Sequence, residues 1–121
     1  MILLVRNGMV YRNGSFSKED ILIENGIIRE VGNISGEQGE LRDIFLLDAG
    51  GQRVVPGFID IHTHGAVNVD VNAAAAEDLE RICRFFASQG TTSWLCSVLT
   101  DTKEQTLWCI EQYRRWKQLE H

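Results

Sequence analysis

Val54-Val55-Pro56-Gly57-Phe58-Ile59-Asp60-Ile61-His62-Thr63-His64-Gly65 reads as a turn followed by a buried strand that ends on two histidines. Pro56-Gly57 is a strong turn signal. Phe58 to Ile61 is an apolar run broken only by Asp60. His62 and His64 are two residues apart, a spacing that puts both imidazoles on one face of a strand and turns Thr63 the other way. Two neutral imidazoles on a rigid strand are half of a site for zinc or a similar ion. A bare His-x-His is short and by itself favours a pair of surface histidines in a loop. Its surroundings favour the strand. A strand apolar on both faces belongs to a parallel sheet covered by helices, and in such sheets the chemistry sits at the C-terminal strand ends.

Downstream, strand and helix alternate. The segment 72–89 is helical by pattern, with Leu79, Ile82, Cys83 and Phe86 spaced along one buried face. Asn72 is the expected N-cap, Gly90 the expected residue just past the C-terminus, and the run Ala73 to Ala76 has high helix propensity. Thr91 to Thr100 is β-branched and aromatic, hence a strand. Trp94 alternates there with Cys96 and Val98, and which face points inward stays open. Asp101-Thr102-Lys103-Glu104 is similar to a capping box led by Asp101. A second helix then runs to about Lys117, with Leu107 and Ile110 on its apolar face. This β-α-β-α order calls for a right-handed parallel crossover and matches two units of a β/α barrel.

Upstream, the chain to Val55 is strand-rich. Ile2 to Arg6 ends at Asn7-Gly8, and Met9 to Tyr11 ends at Asn13-Gly14. The runs 20–24 and 27–31 flank Asn25-Gly26, which suits a type I′ hairpin turn. Residues 35–40 are polar and glycine-rich, a mobile loop by composition. Ile44 to Leu47 is a further strand, ended by Asp48 and the Gly50-Gly51 turn. A structural β-layer is the preferred reading of this part.

The chain has 121 residues and a formal net charge of −5 with the two signs well mixed. No basic stripe suggests nucleic acid, and no apolar run approaches the roughly 20 residues of a membrane helix. Cys83, Cys96 and Cys109 are odd in number and lack Cys-x-x-Cys spacing, so they read as small apolar core residues in a reducing cytoplasm. A complete (β/α)8 barrel needs about 250 residues. The ending Leu119-Glu120-His121 reads as a tag scar to be kept out of fold reasoning. The expectation is an N-terminal piece of a longer protein.

The segments "VVPGFIDIHTHG" and "QGTTSWLCSVLTD" are similar to the first- and second-strand regions of the amidohydrolase superfamily of metal-dependent hydrolases. His-x-His followed at once by Gly65 resembles most its N-acetylglucosamine-6-phosphate deacetylase family, rather than hydantoinases, dihydroorotases or D-aminoacylases. The resemblance implies an α/β fold in three parts. Residues 1–55 form a β-rich half-sandwich, part of a urease-like composite domain. Residues 56–118 form the first two β/α units of a TIM-type (β/α)8 barrel, incomplete in this chain, and 119–121 are the scar. His62 and His64 become ligands of a divalent metal, zinc or iron. The remaining ligands and the catalytic base lie on later strands, so this chain alone should bind metal weakly and lack activity. Asp60 either orients His62 or bonds to backbone. Asp70 reads as a solvated loop residue, and Trp94, Trp108 and Trp116 as packing residues. The whole protein would act on a small-molecule amino-sugar phosphate, hydrolysing its acetamide in the cytoplasm, with neither nucleic acid nor membrane as partner. A cyclic amidase, an aminoacylase and a non-catalytic binding domain are the alternatives. The unpaired barrel edge predicts a homo-oligomer.

Overall fold

Three Asn-Gly pairs punctuate the N-terminal half, and the chain uses them in two different ways. In the computed structural model, which describes residues 1–35 and 44–119, Asn13-Gly14 joins strand β1 (Ile2–Arg12) to β2 (Ser15–Glu24). Asn25-Gly26 joins β2 to β3 (Ile27–Gly32). All four turn residues have positive φ, between 51° and 84°, as two-residue type I′ hairpins require. Asn7-Gly8 does not end a strand. β1 runs through it, and the register against β2 slips between Val5 and Gly8. The pair is a bulge, held because the Asn7 N–H donates to Asp20 Oδ1 (2.9 Å) and Asn7 Nδ2 to Asp48 Oδ1 (3.1 Å). The two short strands expected here are therefore one.

β4 (Ile44–Asp48) and β5 (Arg53–Val54) both pair with β1 in parallel. The sheet order is β3-β2-β1-β4, with β5 also on β1. Val5, Val10, Ile21 and Ala49 form its buried core, while Phe45, Leu46 and Leu47 stay more than half exposed. Most of the loop expected over 35–40, and Glu120 and His121 of the expected scar, lie outside the described residues.

The chain divides into two compact units at Pro56/Gly57. No hydrogen-bonded turn forms over Pro56-Gly57. Gly57 instead lies against Thr92, whose side chain a Cβ would overlap. Close approach, rather than a turn, requires the glycine.

In the second unit β6 (Phe58–Thr63) pairs in parallel with β9 (Thr91–Cys96). Between them come the small hairpin β7 (Gly65–Ala66) and β8 (Val69–Asp70), a 3-10 turn (Val71–Ala73) and helix α1 (Ala76–Ser88). Helix α2 (Lys103–Trp116) follows β9. α1 starts at Ala76, three residues later than its alanine run suggests. Asn72 is not its cap: Asp70 Oδ1 accepts from the Asn72 N–H (2.8 Å), and Ala74 is extended. Tertiary bonds made by the Asn72 side chain outweigh local helix propensity here. α1 buries Ala76, Leu79 and Ile82 and ends at Gly90 with φ +84°.

β9 stops at Cys96 rather than Thr100. α2 is capped by Thr102, whose Oγ1 accepts from the Gln105 N–H (3.2 Å), rather than by Asp101. Its buried residues are Cys109 and Gln112, whereas Leu107 and Ile110 are 55% and 43% exposed. Anchors on the other side of α2 turn it that way. Gln105 Nε2 donates to the Asn72 carbonyl (2.6 Å), and Trp116 Nε1 donates to Glu80 (3.1 Å). Trp94 faces α1, donating to Cys83 Sγ (3.3 Å) with its ring 5.3 Å from Phe86. With Cys96, Ile110 and Tyr113 it lines an open apolar groove of about 710 Å³. The strand β6 is not buried on both faces: Phe58, Ile59 and Ile61 are 63%, 69% and 73% exposed, since β9 is its sole strand neighbour among the described residues.

Candidate metal centre

β6 delivers Asp60 and His62, and His64 follows directly after its end. The register against β9 slips between Asp60 and Thr63. One extra residue on β6 breaks strict alternation there. Asp60 Oδ1 accepts from the His62 main-chain N–H at 3.0 Å, so Asp60 is joined to the His62 backbone through the slip. Past His64 the chain bends sharply at Gly65, φ +147°, where a Cβ would overlap the Val69 carbonyl. The Val71 N–H donates to the His64 carbonyl (2.8 Å) and pins the bend.

The two rings meet edge to face, centroids 4.8 Å apart. His64 Nε2 lies 3.2 Å from His62 Nε2. His64 Nδ1 lies 2.9 Å from the Ser97 carbonyl oxygen. A carbonyl only accepts, so Nδ1 carries a proton, and in the neutral ring Nε2 then keeps its lone pair, the form in which imidazole binds metal. His62 Nδ1 lies 3.5 Å from Ser97 Oγ. Two zinc–nitrogen bonds of about 2.0–2.1 Å at a tetrahedral angle separate their nitrogens by about 3.3 Å. The observed 3.2 Å fits that spacing, so the pair suits a divalent ion. Among the described residues no group of three His, Cys, Asp or Glu could hold a metal.

The cysteines do not offer thiolates. All three are free. Burial, with Cys109 and Cys83 adding to it, pushes the Cys96 thiol up to about 11. Burial raises Cys83 and Cys109 too. They remain neutral thiols. Asp70, expected to be solvated, caps the 3-10 turn.

Sequence reasoning missed two residues. Ser97 reaches both imidazoles from 33 and 35 positions away. Its only signal was strand pairing: Thr63 opposes Cys96, so the next residue lies beside the histidines. Asn72 was read as a helix cap but bonds Leu99 and Asp101 across the unit.

No protein-family model matches the chain. It is 34% identical over 122 residues to a dihydropyrimidinase of Dictyostelium discoideum, an alignment covering 95% of this chain and 22% of that protein. It is 39% identical over 94 residues to a D-phenylhydantoinase of Escherichia coli, covering 77% of this chain and 19% of that one. The chain thus spans about a fifth of the length of these relatives. In fold it is similar to an N-acetylglucosamine-6-phosphate deacetylase of Pasteurella multocida, with TM-score 0.83 and 19% identity over 100% of this chain and 32% of that one. A deacetylase of the same name from Mycobacterium smegmatis gives TM-score 0.63 and 25% identity over 95% and 31%. Proteins of both kinds, deacetylases and hydantoinases, thus match the chain. The chain belongs to the amidohydrolase superfamily and matches the N-terminal region of its members.

Proposed function

We propose that His62 and His64 are the first-strand metal ligands of a metal-dependent amidohydrolase whose substrate is N-acetylglucosamine 6-phosphate, cleaved to glucosamine 6-phosphate and acetate. The observation that carries the ligand assignment is the 3.2 Å approach of the two Nε2 atoms with His64 Nδ1 committed to Ser97. Zinc or iron, when bound, would supply a Lewis acid for the amide carbonyl and would acidify a water toward neutral pH. Within this chain His62 and His64 would hold the ion, and Asp60 steadies His62 through its main-chain N–H. The general base that takes the water's proton, and the acid for the leaving amine, belong to later strands of the whole protein. The deacetylase reading is supported by the likeness to two deacetylase structures. A cyclic-amide substrate is the second reading, favoured by the hydantoinase-type relatives. Three free thiols kept neutral suit a reducing cytoplasm, and no described helix is long and apolar enough to cross a membrane.

Calorimetric titration with zinc tests the ligands. Weak binding that disappears in His62→Ala and His64→Ala is expected, and tight binding that survives either change overturns the assignment. The chain alone should not turn over substrate, because the reacting groups are not assembled. The whole protein should release acetate from N-acetylglucosamine 6-phosphate. Turnover of hydantoins without acetate release would replace the deacetylase reading by the cyclic-amide one.

A further inference from the structure

Ser97 touches both imidazoles on the sides facing away from the Nε2 pair. The parallel ladder places it there: the Ser97 N–H donates to the Thr63 carbonyl (3.0 Å), one step beyond the end of β9. Its carbonyl accepts from His64 Nδ1 (2.9 Å). Its hydroxyl lies 3.5 Å from His62 Nδ1 and 3.4 Å from the Leu95 carbonyl. These partners differ in chemistry. A carbonyl can only accept, so His64 is held in one tautomer. A hydroxyl both donates and accepts, so it can serve His62 in either tautomer.

Two arrangements give Ser97 Oγ and His62 Nδ1 a partner, and they differ at the Nε2 pair. In the first, the Ser97 hydroxyl donates to His62 Nδ1. The His62 proton is then on Nε2, and that N–H donates to the His64 Nε2 lone pair 3.2 Å away. The rings are closed on each other. In the second, the hydroxyl donates to the Leu95 carbonyl and accepts from His62 Nδ1–H. Both Nε2 lone pairs then face the same point. The two differ by the position of one proton on His62 and one hydroxyl rotation, with no net gain or loss of protons. His62 is exposed, so water can carry the proton between its nitrogens.

We propose that Ser97 is the positioning residue of the histidine pair: its carbonyl fixes the His64 tautomer, and its hydroxyl switches His62 between a ring-paired form and a metal-binding form. The proposal rests on the ligand assignment above. Ring nitrogen-15 correlation spectra of the full chain at about pH 8, above the ordinary imidazole range, test it without metal and with zinc. Without metal, His64 should be protonated on Nδ1 and His62 on Nε2. Saturating zinc should move the His62 proton to Nδ1. Ser97→Ala should leave the His64 tautomer unchanged, because the carbonyl remains. It should shift the His62 Nδ1 resonance, whose partner is gone, and weaken zinc binding by about ten-fold, as loss of a ligand's outer partner does. Ser97→Thr, which keeps the hydroxyl, should restore both. Unchanged His62 shifts and zinc affinity in Ser97→Ala overturn the proposal, and so does His64 protonated on Nε2. The metal-free spectra decide the Ser97 bonds by themselves. Zinc binding that persists in both histidine variants overturns only the ligand assignment.

Discussion

Asn72→Ala should loosen the loop that follows Ser97 while leaving the rest of the second unit folded. Asn72 Oδ1 accepts from the Leu99 N–H at 2.8 Å. Its Nδ2 donates to the Leu99 carbonyl at 3.3 Å and to Asp101 Oδ2 at 3.2 Å. A net intramolecular hydrogen bond contributes about 0.5–1.5 kcal/mol. Leu99 and Asp101 are exposed, so water takes up part of what the side chain gives. The short bond to the Leu99 N–H counts nearly in full and the two longer ones only partly, for a local loss of about 1–2 kcal/mol. That corresponds to a 5- to 30-fold change in a local opening equilibrium. Native-state hydrogen exchange should therefore show the Leu99 amide exchanging roughly 5 to 30 times faster in Asn72→Ala. The bonds from Gln105 and Cys109 end on the Asn72 main-chain carbonyl, so the amides of α2 should change little. Asn72→Asp keeps the acceptor for Leu99 but loses both donors and faces Asp101. It should protect Leu99 while loosening Asp101. A Leu99 amide that exchanges within two-fold of the unsubstituted rate, a margin of about 0.4 kcal/mol, would refute the reasoning.

Val67 (φ 49°) and Asn68 (φ 61°) form the turn between β7 and β8, and a β-branched residue is strained there. Val67→Asn should raise stability by about 0.5–1 kcal/mol, read as a higher urea midpoint at unchanged slope; a lower midpoint would count against the strain. The Cys96 thiol sits at about 11 in the fold against an ordinary 9.0. The folded state therefore holds this proton more tightly, and its contribution is complete below pH 9 and lost as the pH rises toward 11. Denaturation at a series of pH values should show that decline, with a shallower slope in Cys96→Ala, since Cys83 and Cys109 shift the same way; rising stability over this range would contradict it. Phe58, Ile59 and Ile61 are exposed along β6, and such apolar edges recruit other chains. Light scattering over a dilution series should find a dimer or larger, and a monomer at high concentration would show that the edge is harmless.

Where local chemistry dominates, the sequence was legible. Asn25-Gly26 had to make a tight hairpin because both residues tolerate positive φ. The β-α-β-α order followed from period and from the stop at Gly90, and His-x-His followed from strand alternation. Reading failed where a distant partner outweighed a local preference. Asn7-Gly8 is a bulge because Asp20 and Asp48 hold Asn7. The alanine run delays its helix because Asn72 is bonded to Leu99. α2 buries Cys109 and Gln112 because its anchors, Gln105 and Trp116, lie on their side.

The histidine site divides in the same way. Two imidazoles near a strand end depend only on a spacing of two residues, so the sequence by itself determined that His62 and His64 would be neighbours. The tautomer of His64 depends on which atom stands opposite Nδ1. That atom is the carbonyl of Ser97, 33 residues away, brought there by the parallel pairing of β6 with β9. The same holds for Asp60, whose carboxylate serves the His62 main chain across a slip in that pairing. Side-chain type and spacing are properties of the chain. Proton position and hydrogen-bond partner are set by atoms that only the tertiary fold brings within 3 Å or so of each other.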